Sequence, residues 1–278
     1  MKKGSIFAFA AILLSGFLIS GCTPAEQSTY TEKIYRIGTV YSYPEQNKAG
    51  LIPDKTTDIQ ETIYLKNFNR PSHLSEFGIN DGDRVLATME LTAKGIYENN
   101  TVELLDLTKI NVQKLEQVKP ADSLNYYYNF TTSLLGSTSY PAIWNAGHIV
   151  NVSPVFFIPE DAPDPKFYFY PVEVLSDTLV VRLYSYIPKD DVSLNPDYTQ
   201  TFLNCDISSL ASPVSDPMEQ ARRDVMLNSL RFQELDYIQV RIVTPDTLRA
   251  LNSKNVSNPN YIQPVPGLSH TVQIPFDF

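Results

Sequence analysis

The strongest hydrophobic periodicity in the chain has a period of two, the spacing of half-buried β-strands. Between positions 83 and 91, Val85, Ala87, Met89 and Leu91 share one face while Arg84, Thr88 and Glu90 share the other. Between 237 and 243, Ile238, Val240 and Ile242 line up against Tyr237, Gln239 and Arg241. Segments 33–43, 59–67, 101–110, 167–175, 179–187, 201–210 and 271–276 are further predicted strands. Turn chemistry punctuates them: Asn80-Asp81-Gly82 precedes one strand, Glu98-Asn99-Asn100 links two, and Ser176-Asp177 closes a hairpin. Helix is scarce. Asp216-Pro217-Met218-Glu219 supplies an N-cap, a proline at the first helical position and an acid at the third, so a helix is expected to about Asn228. Thr244-Pro245-Asp246 is a second, single-turn helix start.

Alternation lapses between Pro120 and Pro141, where Asp122, Ser123, Asn125, Gly136, Ser137 and Ser139 accumulate. The chain therefore reads as all-β. A small Greek-key barrel is expected over 32–119, a linker over 120–139 and a β-sandwich over 140–278.

The first residues follow a different pattern. Lys2 and Lys3 precede an apolar run over 6–19, the layout of an export signal, and the run is shorter than the roughly 20 apolar residues that a spanning helix needs. Leu18-Ile19-Ser20-Gly21-Cys22 resembles the bacterial lipobox, which implies a signal peptide over 1–21 and lipid on Cys22. An ordinary secretory leader with a chance cysteine is the plainer alternative. The stretch 22–31 is small, polar and proline-containing, as suits a flexible tether. The expected membrane partner is thus reached through the lipid, at the outer membrane. Surface-export signals of some Bacteroidetes lipoproteins resemble acidic clusters just after the cysteine; none occurs here, which favours a periplasm-facing position over the cell surface.

Charge narrows the partners. The net charge of −9 becomes −11 once Lys2 and Lys3 leave with the leader. No basic run is longer than Arg222-Arg223, so a nucleic-acid partner is not expected. With Cys22 acylated, Cys205 lacks an intrachain partner, and its strand-like surroundings point to a buried inert thiol rather than a nucleophile.

Phe77-Gly78-Ile79-Asn80-Asp81-Gly82-Asp83-Arg84-Val85-Leu86, followed by Thr101-Val102-Glu103-Leu104-Leu105-Asp106-Leu107-Thr108-Lys109-Ile110, resembles the NigD-like lipoproteins of Bacteroidetes. In that family Gly-Asp-Arg-Val-Leu opens a strand of an OB-type barrel and a β-sandwich follows. The resemblance implies an OB-like barrel here and an immunity-like role, and it carries over no catalytic or ligand residues. The stretch 189–230 departs from it, as added loop and helix material.

Motifs for chemistry are sparse. HExxH, CxxC, GxSxG, phosphate-cradling loops and dinucleotide fingerprints do not occur, so no enzyme activity, cofactor or metal is expected. His73, His148 and His270 lie far apart and read as structural or surface residues, although a triad assembled in space stays open. Glu160, Asp161 and Asp164 form an acidic loop that reads as solvated, with calcium as the alternative. Among the aromatics, Trp144, Phe156, Phe157 and Phe167 to Tyr170 are expected in cores. Tyr126, Tyr127 and Tyr128 cannot all face one core, and they are the candidate contact surface. Asp122-Ser123-Leu124, Asp177-Thr178-Leu179 and Asp246-Thr247-Leu248 are similar to a short O-glycosylation motif of exported Bacteroidetes proteins; Ser123, in the expected linker, is the candidate. The leading expectation is a non-catalytic binding module for a protein or peptide. A glycan-binding accessory of a polysaccharide-uptake system is the alternative, and a hydrolase without a motif ranks third.

Overall fold

The computed structural model describes residues 32–46, 48–54, 62–66, 72–91, 101–119, 131–134, 136, 140–159, 166–186, 196–244, 247–250, 262–265 and 268–278. Its first part is a closed five-stranded barrel built from β1 (Glu32–Tyr43), β2 (Lys48–Pro53), β3 (Ile63–Leu65), β4 (Arg84–Leu91) and β5 (Thr101–Lys109). The order around the barrel is β1-β2-β3-β5-β4, with β3 and β5 parallel and the other pairs antiparallel. This is the OB topology.

Alternation sorts the side chains as the sequence anticipates. Ile34, Val40, Leu51, Val85, Ala87, Met89, Val102 and Leu104 point into the barrel and fill it. The short helix α1 (Ser72–Glu76) lies between β3 and β4. It ends at Gly78, whose φ of +67° only glycine adopts readily, so that Leu74 and Ile79 both fold back into the barrel core. Gly38 serves a different need. A Cβ there would come within 2.4 Å of the Ile52 carbonyl oxygen, so its absence lets β1 and β2 close tightly at the barrel wall.

Thirteen further strands follow among the described residues. In chain order they are β6 (Val112–Lys114), β7 (Thr131–Leu134), β8 (Ile143–Ala146), β9 (Ile149–Val152), β10 (Pro154–Pro159), β11 (Lys166–Leu175), β12 (Thr178–Tyr186), β13 (Pro196–Gln200), β14 (Leu203–Asp206), β15 (Tyr237–Val243), β16 (Thr247–Ala250), β17 (Ile262–Val265) and β18 (Ser269–Pro275). Sheets β6-β14-β9-β8 and β11-β12-β15-β18 face each other across one core that includes Val150, Val152 and Cys205 from the first and Phe169, Leu179, Val181, Val240 and Ile242 from the second. That is a β-sandwich. A three-stranded sheet, β13-β10-β7, and a hairpin, β16-β17, are added to it.

Helix α2 (Pro217–Arg231) begins as its sequence predicts. The Asp216 carboxylate accepts from the Met218 amide at 2.8 Å and the Glu219 amide at 3.4 Å, and Met226, Leu227 and Leu230 add to the sandwich core.

Several sequence expectations meet a different structure. Residues 120–139, read as linker, include β7, which pairs with β10. Residues 112–114, within the span read as barrel, pair with β14 of the sandwich. The stretch 189–230, read as added loop and helix apart from the strand expected over 201–210, also contributes β13, which pairs with β10. Thr247 to Ala250, where a helical turn was expected, is strand β16 and pairs with β17. In each case a short segment with little periodicity of its own gains its conformation from a partner strand distant in sequence.

Candidate functional site

Barrel and sandwich meet through a buried cluster, and its geometry starts from β1. Odd-numbered residues of this strand face outward, so Ile37 would be exposed on an isolated barrel; instead it is fully buried against Tyr140 and Trp144. Tyr140 and Trp144 stack with ring centroids 4.8 Å apart, and Phe202 meets both edge-on. The Ile37 amide donates to the Tyr140 hydroxyl at 2.5 Å. Burial, first among its causes, pushes that phenol up to about 12.

Beside these rings lies Arg84, the arginine of the Gly-Asp-Arg-Val segment, on the outward face of β4. It is 3% exposed, and all five of its N–H donors have acceptors. Nη1 and Nη2 grip the two carboxylate oxygens of Asp54 at 2.5 Å each. The remaining donors reach Thr39 Oγ1 at 3.3 Å, Asn151 Oδ1 at 3.0 Å and Asn204 Oδ1 at 3.2 Å. Trp144 Nε1 donates to Asp54 Oδ2 at 2.7 Å. Asp54, Thr39 and Arg84 belong to the barrel; Trp144, Asn151 and Asn204 come from β8, β9 and β14 of the sandwich. The result is a bidentate ion pair, out of water, clasped from both sides. Such a pair fixes geometry more than it adds stability, because desolvation offsets most of the Coulomb attraction. One donor stays over: Asn204 Nδ2 is buried without a partner among the described residues. The amide cannot gain by flipping, since its oxygen is committed to Arg84.

A second buried arginine ties the chain leaving the barrel to α2. Arg223, 1% exposed, donates to the carbonyls of Ser209 at 3.2 Å, Leu115 at 3.3 Å and Glu116 at 2.5 Å, and to Glu219 at 3.2 Å. Arg222 pairs with the same Glu219 at 2.6 Å and lies over the Tyr170 ring, 4.7 Å from its centroid. Burial alone would raise Glu219, but the two guanidinium groups hold its carboxyl below the usual carboxylate range. An open depression of about 550 Å³ runs beside this network, lined by Gln113 to Val118 and Phe167.

The barrel surface carries exposed aromatic and apolar side chains. Tyr35 is 55% exposed, Ile52 41% and Tyr41 36%. Tyr41, Gly50 and Tyr64 form one cross-strand row over β1, β2 and β3. Tyr43 meets Tyr64 edge-on at 5.8 Å, and the Lys48 ammonium sits 4.9 Å from the centre of the Tyr64 ring. Next to this row, Asp81 accepts from the Ser42 amide and hydroxyl, which holds its carboxyl below the ordinary range.

Of the residues singled out from sequence, Cys22, Ser123, Tyr126, Tyr127, Tyr128, Glu160, Asp161 and Asp164 lie outside the described residues. Cys205 is fully buried in β14, and burial pushes its thiol well above the usual range. His148 contacts Asp277 and meets Phe278 edge-on, while His270 stands opposite Ile242 in the β15–β18 ladder. His73 belongs to α1. Among the described residues neither His148 nor His270 makes a hydrogen bond with Cys205. Sequence reasoning passed over Arg84, Asp54, Asn151 and Asn204; the available signal was an arginine kept on the polar face of an otherwise apolar strand.

Fold and junction together define an all-β, two-lobe protein, an OB-type barrel latched to a β-sandwich. The chain is similar in structure to solved proteins of Bacteroides and Parabacteroides. A candidate lipoprotein from Bacteroides fragilis superposes with a TM-score of 0.52 at 9% identity, over 89% of this chain and 100% of that one. A NigD-like immunity protein from Bacteroides caccae gives 0.42 at 12% identity, over 87% and 97% of the two chains. A candidate toxin-related protein from Parabacteroides distasonis gives 0.48 at 9% identity, over 86% and 93%. No family model and no curated protein matches the sequence. Among the described residues no helix is long and apolar enough to cross a membrane.

Proposed function

We propose that this chain is a lipid-anchored, non-catalytic binding module of the bacterial cell envelope, which presents the β1-β2-β3 face of its barrel to a protein or peptide partner. One observation carries the reading: Tyr35, Tyr41 and Ile52 are exposed on the wall of a barrel whose adjoining outward residue, Ile37, is sealed under the sandwich. Tyrosine and isoleucine on a rigid sheet lose little conformational entropy on contact, which is why such residues anchor interfaces. The anchor in this reading is Cys22, with the protein on the outer membrane and facing the periplasm, in a role of the immunity type. Recovery of crosslinked partners from native membranes tests the contact face. The same partner is expected from the wild type in every preparation and is expected to vanish with Tyr41→Ser/Ile52→Asp; equal recovery with that variant contradicts the reading. Globomycin, which blocks lipoprotein processing, is expected to leave the uncut precursor, and protease is expected to spare the protein on intact cells.

A second reading, a glycan-binding accessory, is favoured by a different surface, the tyrosines and arginines that the sheet β11-β12-β15-β18 turns away from the sandwich core.

A further inference from the structure

Leu179, Val181 and Leu183 of β12 point into the sandwich core, so Val180, Arg182 and Tyr184 point the other way. The ladders place neighbours on that outer face: Tyr168 opposite Tyr184 in β11, Arg241 opposite Val180 in β15, and Thr271 opposite Arg241 in β18. Gln239 precedes Arg241 by two positions on the same face. The face is recessed, since Tyr168, Arg182 and Arg241 are half-buried and Tyr184 is only 7% exposed.

Two donors here have no acceptor among the described residues. The Tyr184 hydroxyl and Arg182 Nε are both buried and unpartnered, on side chains two residues apart, with the Arg182 guanidinium carbon 6.0 Å from the Tyr184 ring centroid. Leaving a buried donor unmatched costs about 1–3 kcal/mol, so folded proteins rarely do so without a reason. Neither Arg182 nor Arg241 makes an ion pair with a described residue, although the whole chain carries a net charge of −9. Glu173 stands on this face opposite Val180, and Tyr170, opposite Arg182, donates its hydroxyl to the Glu219 carboxylate, which is paired with Arg222 and Arg223.

We infer that this recess is a subsite for a carboxylated oligosaccharide, which stacks a sugar ring on Tyr168 and sets its carboxylate between Arg182, Arg241 and the Tyr184 hydroxyl. Charge complementarity selects the anion: two guanidinium groups with no ion pair among the described residues lie on this face, and guanidinium matches carboxylate in a two-pronged geometry. The flanking chemistry selects a sugar over an acidic protein. Gln239 and Thr271 offer hydrogen bonds suited to hydroxyls, and Tyr237, 54% exposed and two positions before Gln239 on the same face of β15, offers a further ring for a sugar to stack on. This inference rests on the second reading above and names its site and ligand class.

The test is calorimetric titration of the full-length chain in detergent with trigalacturonate, maltotriose and sodium acetate, together with thermal melts of each variant. Trigalacturonate is expected to bind saturably and more tightly than maltotriose or acetate. Arg182→Gln is expected to weaken it about tenfold, the loss of a charge-assisted contact. Tyr184→Phe is expected to weaken it severalfold while leaving the melting midpoint unchanged or higher, because it removes an unmatched hydroxyl. Equal binding of maltotriose, with Arg182→Gln silent, overturns the anionic subsite and leaves the glycan reading standing. No saturable binding of either sugar overturns both. A lower midpoint for Tyr184→Phe shows that an ordered water already satisfies the hydroxyl, which also overturns the inference.

Discussion

Two buried arginines join parts of this molecule, and they do it differently. Arg84 spends its donors on side chains: the Asp54 carboxylate and Thr39 in its own lobe, Asn151 and Asn204 in the other. Arg223 spends three bonds on backbone carbonyls, those of Ser209, Leu115 and Glu116. Arg84 is therefore a latch between two preformed surfaces, and every partner must be in its rotamer for the rest to fit. Arg223 is an anchor for one passing segment, whose carbonyls would otherwise be buried unmatched. The difference teaches where specificity resides. A side-chain latch fixes one orientation of the lobes, whereas a backbone anchor holds the chain and is less sensitive to neighbouring side chains.

Breaking the latch is expected to have the largest effect. Asp54→Ala strands the Arg84 charge at the junction and is predicted to cost about 3–5 kcal/mol in urea unfolding, whereas Arg84→Met/Asp54→Leu, which removes both charges, is predicted to cost much less. Equal losses in the two variants would show that packing, not charge, dominates the junction. Arg223→Met comes next. It takes the guanidinium donor from the Leu115 and Glu116 carbonyls, while Ser209 keeps the Ser212 amide, at about 1–3 kcal/mol for the group, since Arg222 still holds Glu219. Native-state hydrogen exchange separates the two sites: the anchor variant is expected to loosen amides around Leu115 and Glu116 while Ile37 stays protected. Trp144→Phe keeps much of the ring stack but drops the bond to Asp54, with an expected loss of about 1–2 kcal/mol by thermal melt.

The smallest expected effect depends on pH. The Glu219 carboxyl sits below its ordinary value of 4.5 because Arg222 and Arg223 outweigh burial. A depressed carboxylate contributes stability above its unfolded pKa and loses it as pH falls through the folded one. The wild-type advantage over Glu219→Gln is thus expected to be full at neutral pH, under about 1 kcal/mol, and to fade as pH falls below the ordinary 4.5 and through the lower folded value. An advantage that grows on acidification would contradict the pairing.

The barrel was largely legible from residue patterns. Val85, Ala87 and Met89 alternate cleanly because their strand is wet on one side in the part that a period of two can detect, and they are fully buried as expected. The junction was not legible, for a related reason. Ile37 and Arg84 face outward, and whether an outward face meets water or another lobe depends on strands more than 60 positions away. Asn151 and Asn204, each fully buried, look like ordinary polar positions in strands of four residues. The sandwich suffered most from short strands. β8 and β9 are separated by Gly147 at a φ of +60°, and each is too brief to show a period. Cys205 was readable, since its apolar flanks already placed it on a buried strand.

The chain has a single tryptophan, Trp144, and it sits in the junction with its indole nitrogen on Asp54. Its fluorescence therefore reports the latch, while far-ultraviolet circular dichroism reports the strands of both lobes. Urea unfolding of wild type and Asp54→Asn, followed by both signals, is the most direct measurement of whether the lobes form one rigid unit held by Arg84. In the wild type the two transitions are expected to coincide; in Asp54→Asn the fluorescence transition is expected to shift to lower urea, ahead of the dichroism. Coincident transitions at an unchanged midpoint in the variant would contradict the latch.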